Sequence, residues 1–188
     1  MFSFKIGITT VNLWPLIIIF LIGIIGAIFS TILQFKRNKK LSELCRTGEY
    51  NDSIVLAKKQ LNYYSNVFKN KNTKTVIEII HLHLAISYLG LSNDEQFIHN
   101  IAQVAEGNLG KHFWLALFYI LKKDQTQYKT QYRILSSKGM NENYLTYLSS
   151  LNKLQECDDA DARAAISALN EELNIKLLYD ISQKIIDQ

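Results

Sequence analysis

The stretch "RTGEYNDSIVLAKKQL" (residues 46–61) decides how this chain is built. Gly48 suits the left-handed position that ends a helix, and Asn51 or Asp52 suits the cap of the next one. After it, Ile54, Ala57, Leu61, Tyr64 and Phe68 recur at alternating spacings of three and four, the pattern of one apolar helix face. Before it, Phe35, Leu41, Leu44 and Cys45 keep helical spacing. The stretch therefore reads as helix, tight turn, helix. One Pro and eight Gly in 188 residues leave few helix breakers, and strand-type alternation is scarce, so the predicted fold class is all-α. The chain is 48% apolar and 20% charged, as a folded protein is. Its length holds one ordinary domain plus one extra element.

Upstream lies that extra element. No charge occurs between Lys5 and Lys36, and "LWPLIIIFLIGIIGAIFSTIL" (13–33) is continuously apolar. At ~1.5 Å per residue this stretch reaches about 31 Å, the thickness of a bilayer's hydrocarbon core. Pro15 falls in the first turn, where a helix accepts it, and Trp14 suits the interface. A cleaved signal peptide is the rival reading. Its apolar core is shorter, however, and it needs a small-residue cleavage site that is poor here. A retained single-pass transmembrane helix is expected over residues 13–35, behind a short extracytoplasmic tail at 1–12. Lys36, Arg37, Lys39 and Lys40 follow it directly, so the positive-inside tendency puts the C-terminal domain in the cytoplasm. The same four cations are candidate contacts for anionic lipid. Lys58, Lys59, Lys69, Lys71 and Lys74 extend the basic region, either against lipid or as a solvated face. Residues 36–75 carry ten Lys/Arg against three Asp/Glu, whereas residues 76–188 carry ten against fourteen. Within the apolar segment, Gly23, Gly26, Ala27 and Ser30 supply small residues at four-residue spacing, a candidate helix-packing face and a route to a homo-oligomer.

Helix pairs continue downstream. "GEYNDSIVLAKKQL" (48–61) resembles the turn and second helix of a tetratricopeptide repeat: Gly48, Glu49, Tyr50 and Ser53 match, and Ala57 and Leu61 fit the packing positions after them. Leu84, Ala85 and Tyr88, and again Leu115, Ala116 and Tyr119, fit the repeat's first-helix pattern. Phe97 and Tyr128 stand where the repeat usually has a small residue. Turns fall near Ser92, where Ser92 and Glu95 suit a capping box, near Asp124 and near Asp158, a period close to the ~34 residues of this class. The first unit is about ten residues too long, an excess assigned to "KNKNTKT" (69–75) as a polar loop. The resemblance implies an α-solenoid of antiparallel helix pairs over residues 36–173, with residues 174–188 as an amphipathic capping helix. An irregular helical bundle is the alternative architecture.

Catalytic patterns are missing. Gly107 and Gly110 lack the ending of a phosphate loop, and no Gly-x-Ser-x-Gly elbow occurs. His81 and His83 stand two apart, which on a helix points them away from each other. The acids Glu156, Asp158, Asp159 and Asp161 lack the Gly and terminal Glu of a calcium loop and suit the start of a helix instead. Cys45 and Cys157 make no disulfide framework and are expected as buried free thiols. Neither an enzyme, nor a cofactor or metal, nor a nucleic-acid partner is expected. The ten tyrosines include several at core spacing; inter-helix packing is the plain explanation. The sharper one is an aromatic surface of Tyr88, Trp114, Tyr119, Tyr128 and Tyr132 that grips a protein or peptide partner. The functional expectation is a membrane-anchored adaptor or scaffold. The alternative is an accessory or regulatory subunit held in a membrane complex through its transmembrane helix.

Overall fold

The computed structural model describes residues 3–6, 9–12, 14–66, 71–157 and 159–187. Contacts divide the chain into two bodies, Met1–Lys40 and Leu41–Gln188. Helices dominate, and the all-α expectation holds with one addition. β1 (Ser3–Ile6) and β2 (Thr9–Asn12) form an antiparallel hairpin in which Phe4 pairs with Val11 and Lys5 with Thr10. The sequence reading treats residues 1–12 as a plain tail. The β-branched run Thr9–Val11 supplies the strand preference that this reading passes over.

α1 is one helix, Trp14–Thr47. Its apolar part holds Ile19, Phe20, Ile22, Ile25 and Phe29 with 62–69% of their surface exposed. Among the described residues it is the one helix long and apolar enough to cross a membrane. A signal sequence passes the same test of length and composition.

From Leu41 onward a second body forms. The end of α1 contributes Leu41 and Cys45, both buried. Then follow α2 (Tyr50–Ser65), α3 (Lys71–Gly90), α4 (Asp94–Ile101), α5 (Leu109–Leu121), α6 (Gln125–Ser137), α7 (Glu142–Glu156), α8 (Ala160–Leu173) and α9 (Lys176–Ile186). α3 packs on α2 and α4, α5 on α6, and α7 on α8. In addition α3, α5, α7 and α9 touch in succession, so every second helix forms a row. The centre of that row is α5, in which every residue from Lys111 to Phe118 is buried. Its one buried cation is satisfied by the Val104 carbonyl at 2.9 Å and by the Glu106 carboxylate.

One turn geometry closes the first helix of three pairs, α1–α2, α3–α4 and α5–α6, and recurs between α6 and α7, where Gly139 has φ of 71° and the Met140 N–H reaches the Leu135 carbonyl at 3.1 Å. Gly48, Ser92 and Lys123 have φ of 84°, 55° and 58°. After each, a backbone N–H reaches back five residues: Glu49 to the Leu44 carbonyl at 2.9 Å, Asn93 to Tyr88 at 2.8 Å and Asp124 to Tyr119 at 2.9 Å. These bonds satisfy carbonyls that a helix end leaves open. Gly48 and Gly139 carry the glycine that makes such a turn visible in sequence; Ser92 and Lys123 do not. The cap residues also shift from their expected places. Glu49, not Asn51 or Asp52, occupies the N-cap of α2 and makes no side-chain cap bond. Asn93, not Ser92, caps α4 through its side chain, which accepts from Gln96 N at 3.1 Å. Ser92 is spent on the left-handed position, where its own side chain cannot cap. Asp124 caps α6 in the same way, accepting from Gln127 N at 3.0 Å. The α7–α8 connection departs from this geometry: Cys157 is extended and Asp159 caps α8, while Asp158 lies outside the described residues.

The polar segment 69–75 is not a loop throughout. α3 begins at Lys71, so residues 71–75 are helical; residues 67–70, Phe68 among them, lie outside the described ones. Lys and Thr on a helix's first turns need no apolar partner, and polarity alone did not separate helix from loop. Phe97, bulky where the repeat is usually small, is fully buried and stacks on Phe118 with centroids 4.8 Å apart. It thereby ties α4 to α5. Gly90 meets the opposite demand, since a Cβ there would stand 2.5 Å from the Tyr50 ring.

Candidate functional site

A polar knot joins the first three helices of the second body. Ser53 is fully buried on α2; its hydroxyl lies 3.1 Å from Cys45 Sγ and accepts from Ser87 Oγ at 2.8 Å. Small hydroxyls at these positions let α1, α2 and α3 approach without an orphaned polar group. Cys45 is thus a buried free thiol, as expected, whereas Cys157 is free but exposed.

The aromatic set does not gather on one open surface. Tyr88, Trp114 and Tyr128 are only 8%, 7% and 6% exposed and belong to the core; Tyr119 and Tyr132 are half-buried against it. Trp114 meets Phe113 edge-on at 5.2 Å, and Tyr128 lies 5.7 Å from Tyr132. Burial pushes the Tyr128 phenol above its ordinary range. The same cause, with Asp180 nearby, lifts Tyr50 to about 12. These tyrosines serve packing, and a partner can reach only the edges of Tyr119 and Tyr132.

What the second body does offer is a cleft of about 420 Å³ where the C-terminal ends of α3 and α5 meet α9. Its floor is apolar, from Leu89, Phe118 and Ile185. Lys122, Lys123 and Lys184 stand around the rim, and Lys122 is ion-paired with Asp94. Repeated turns build one wall, since Ser92 and Lys123 are both left-handed turn residues. α9 builds the other. It is held by its buried face (Leu177, Leu178, Ile181, Ile185), by the Tyr147 hydroxyl donating to the Leu178 carbonyl and by Asn170 Nδ2 donating to Ser182 Oγ at 2.9 Å. The C-terminal helix, expected as a cap, packs on α7 and α8 and also lines this cleft. Lys176 also reaches the first turn, within 2.9 Å of where a Gly48 Cβ would be. Sequence reasoning missed this cleft because Lys184 stands far along the chain from Lys122 and Lys123 and none of the three belongs to a motif.

Three of the four histidines, His81, His83 and His112, are held by hydrogen bonds within the fold, and His99 is exposed. His81 Nδ1 lies 3.0 Å from Asn100 Oδ1, and His83 Nδ1 donates to the Ile79 carbonyl at 2.8 Å. His112 bridges the Glu106 carbonyl and Gln131 Oε1, each at 2.8 Å. Desolvation lowers the pKa of His83. Among the described residues, no three His, Cys, Asp or Glu gather as a metal site would require. In the first body, Gly23 and Gly26 have open space around them, and Lys36, Arg37, Lys39 and Lys40 are exposed. The side chains of Ala27 and Ser30 lie outside the described residues. Compared with protein-family models, with curated proteins and with solved structures, the chain matches none.

Proposed function

We propose that this chain is a single-pass membrane protein that presents a tetratricopeptide-like repeat domain to the cytoplasm as an adaptor for a protein or peptide partner. The observation that carries the reading is the turn shared by three helix pairs, at Gly48, Ser92 and Lys123, combined with the row of α3, α5, α7 and α9. Repeating hairpins stacked through their first helices leave a shared face along which a partner segment can lie. The α3–α5–α9 cleft, with its apolar floor and lysine rim, is the proposed docking point on that face. The exposed apolar side chains of α1 support the anchor, because they find partners only in lipid.

A photo-crosslinking residue placed at Lys123, with one at Lys129 on α6 as control, tests the adaptor reading in cells. The expected result is one crosslinked protein at Lys123 that survives exchange of the apolar segment for an unrelated one. A crosslink lost on that exchange favours the accessory-subunit reading, for which the open faces of Gly23 and Gly26 speak. No crosslink at Lys123 above the control overturns the docking point. Cys157 also reports sidedness, since it is exposed while Cys45 is buried. A cytoplasmic domain leaves it unlabelled by an impermeant thiol reagent until the cells are opened.

A further inference from the structure

α2 turns one face to the core through Ser53, Ala57, Gln60 and Tyr64. Its other face carries Val55 and Tyr63, 69% and 54% exposed, with Lys58, Lys59 and Asn62 exposed between them. Successive residues on a helix advance by about 100°, which puts these five on one side of the cylinder. Lys74 is exposed at the end of the hairpin where α2 finishes. The outer face of α8 has the opposite character, with Asp161, Glu171 and Glu172 exposed.

We infer that this face of α2 is a docking surface for the anionic lipid headgroups of the membrane that anchors the chain. The inference rests on the anchor reading above. Three observations favour lipid as the occupant. The charge is complementary on balance: Lys58, Lys59 and Lys74 outnumber the exposed Asp52 of the same face and border an apolar and an aromatic side chain, the composition of helices that lie in a membrane interface. Position in the chain agrees, as Val55 lies 22 positions after Leu33. Among the described residues Lys58 and Lys59 have no ion pair, and Lys58 meets the Tyr88 ring at the limit of a cation–π contact, 6.0 Å from its centroid. Each ammonium close to an anionic leaflet raises occupancy about fivefold at physiological salt, and the gain fades beyond a Debye length of about 8 Å.

The test uses the full chain in lipid nanodiscs. Cys157→Ser removes the exposed thiol, and Val55→Cys carries a fluorophore quenched by a headgroup-attached quencher. Discs of phosphatidylcholine are compared with discs containing phosphatidylglycerol. Expected is strong quenching only in the anionic discs, reversed by high salt. Lys58→Glu with Lys59→Glu is expected to weaken the contact roughly tenfold or more. A fluorophore at Glu171→Cys is expected to stay bright in both. Equal quenching in the two lipids, or none above the Glu171 position, overturns the proposal while leaving the anchor intact. Self-quenching between labelled copies also overturns it, because the face is then covered by a second chain. Failure of the chain to enter discs at all removes the anchor reading and this proposal together.

Discussion

Two helices of this protein are strongly apolar, and they solve the burial problem in opposite ways. α5 is 13 residues long, and neighbours cover it on all sides: α3, α6 and α7 pack on it. Its apolar side chains are already out of water, so the helix needs nothing else. The apolar part of α1 has no such cover; Phe20, Ile22 and Ile25 are 63–69% exposed. Left in water, such a surface would cost about 25 cal/mol for every Å². Hydropathy is common to both helices. Length and burial separate them: one fills a protein core, and the other is long and apolar enough to cross a membrane.

The largest effect expected from this contrast is on the membrane. Ile24→Lys with Ile25→Lys places two ammonium groups mid-helix, each costing about 3 kcal/mol at the bilayer centre. The chain should leave the membrane fraction in alkaline extraction, while thermal unfolding of the second body stays unchanged. If the doubly charged variant remains fully membrane-bound, lipid is not what covers α1. The converse change, Leu117→Ala in α5, removes a fully buried side chain. It should cost about 2–5 kcal/mol in denaturant unfolding and leave membrane retention as it was. A change of under about 1 kcal/mol would mean that α5 is not the packed centre of the row. The smallest effect sharpens the comparison of turns. Lys123→Gly relieves a left-handed lysine at a position where Gly48 already stands in the first turn. Stability should rise by about 0.5–1 kcal/mol, the net of relieved strain and a more flexible unfolded chain. A lower midpoint would show that the Lys123 side chain contributes more than its backbone strain costs.

The pairing of turns explains what could be read in advance. Glycine marks a left-handed residue because it lacks a Cβ, so Gly48 was legible. Ser92 and Lys123 adopt the same conformation without that mark, and at Ser92 the cap of α4 consequently falls one residue later, on Asn93. The first-helix pattern Leu84-Ala85 and Leu115-Ala116 pointed correctly to buried positions. The aromatic surface was not legible, because Tyr88 and Trp114 on a helix have the same spacing whether they face a groove or a neighbouring helix. The cleft gave no signal at all. Lys123 and Lys184 come together only through the seating of α9, and no local spacing encodes that contact.

By itself, the sequence determined the helical class, the apolar segment and its basic flank, and the order of helix, turn and helix. Those features arise from interactions within a few residues: hydropathy, period and backbone freedom. Only the tertiary structure decided which apolar helix is covered, which tyrosines are interior, and that the last helix closes a cleft against the ends of α3 and α5. Those outcomes depend on which faces meet, and a helix's own spacing fixes the face it must bury without naming the surface that buries it.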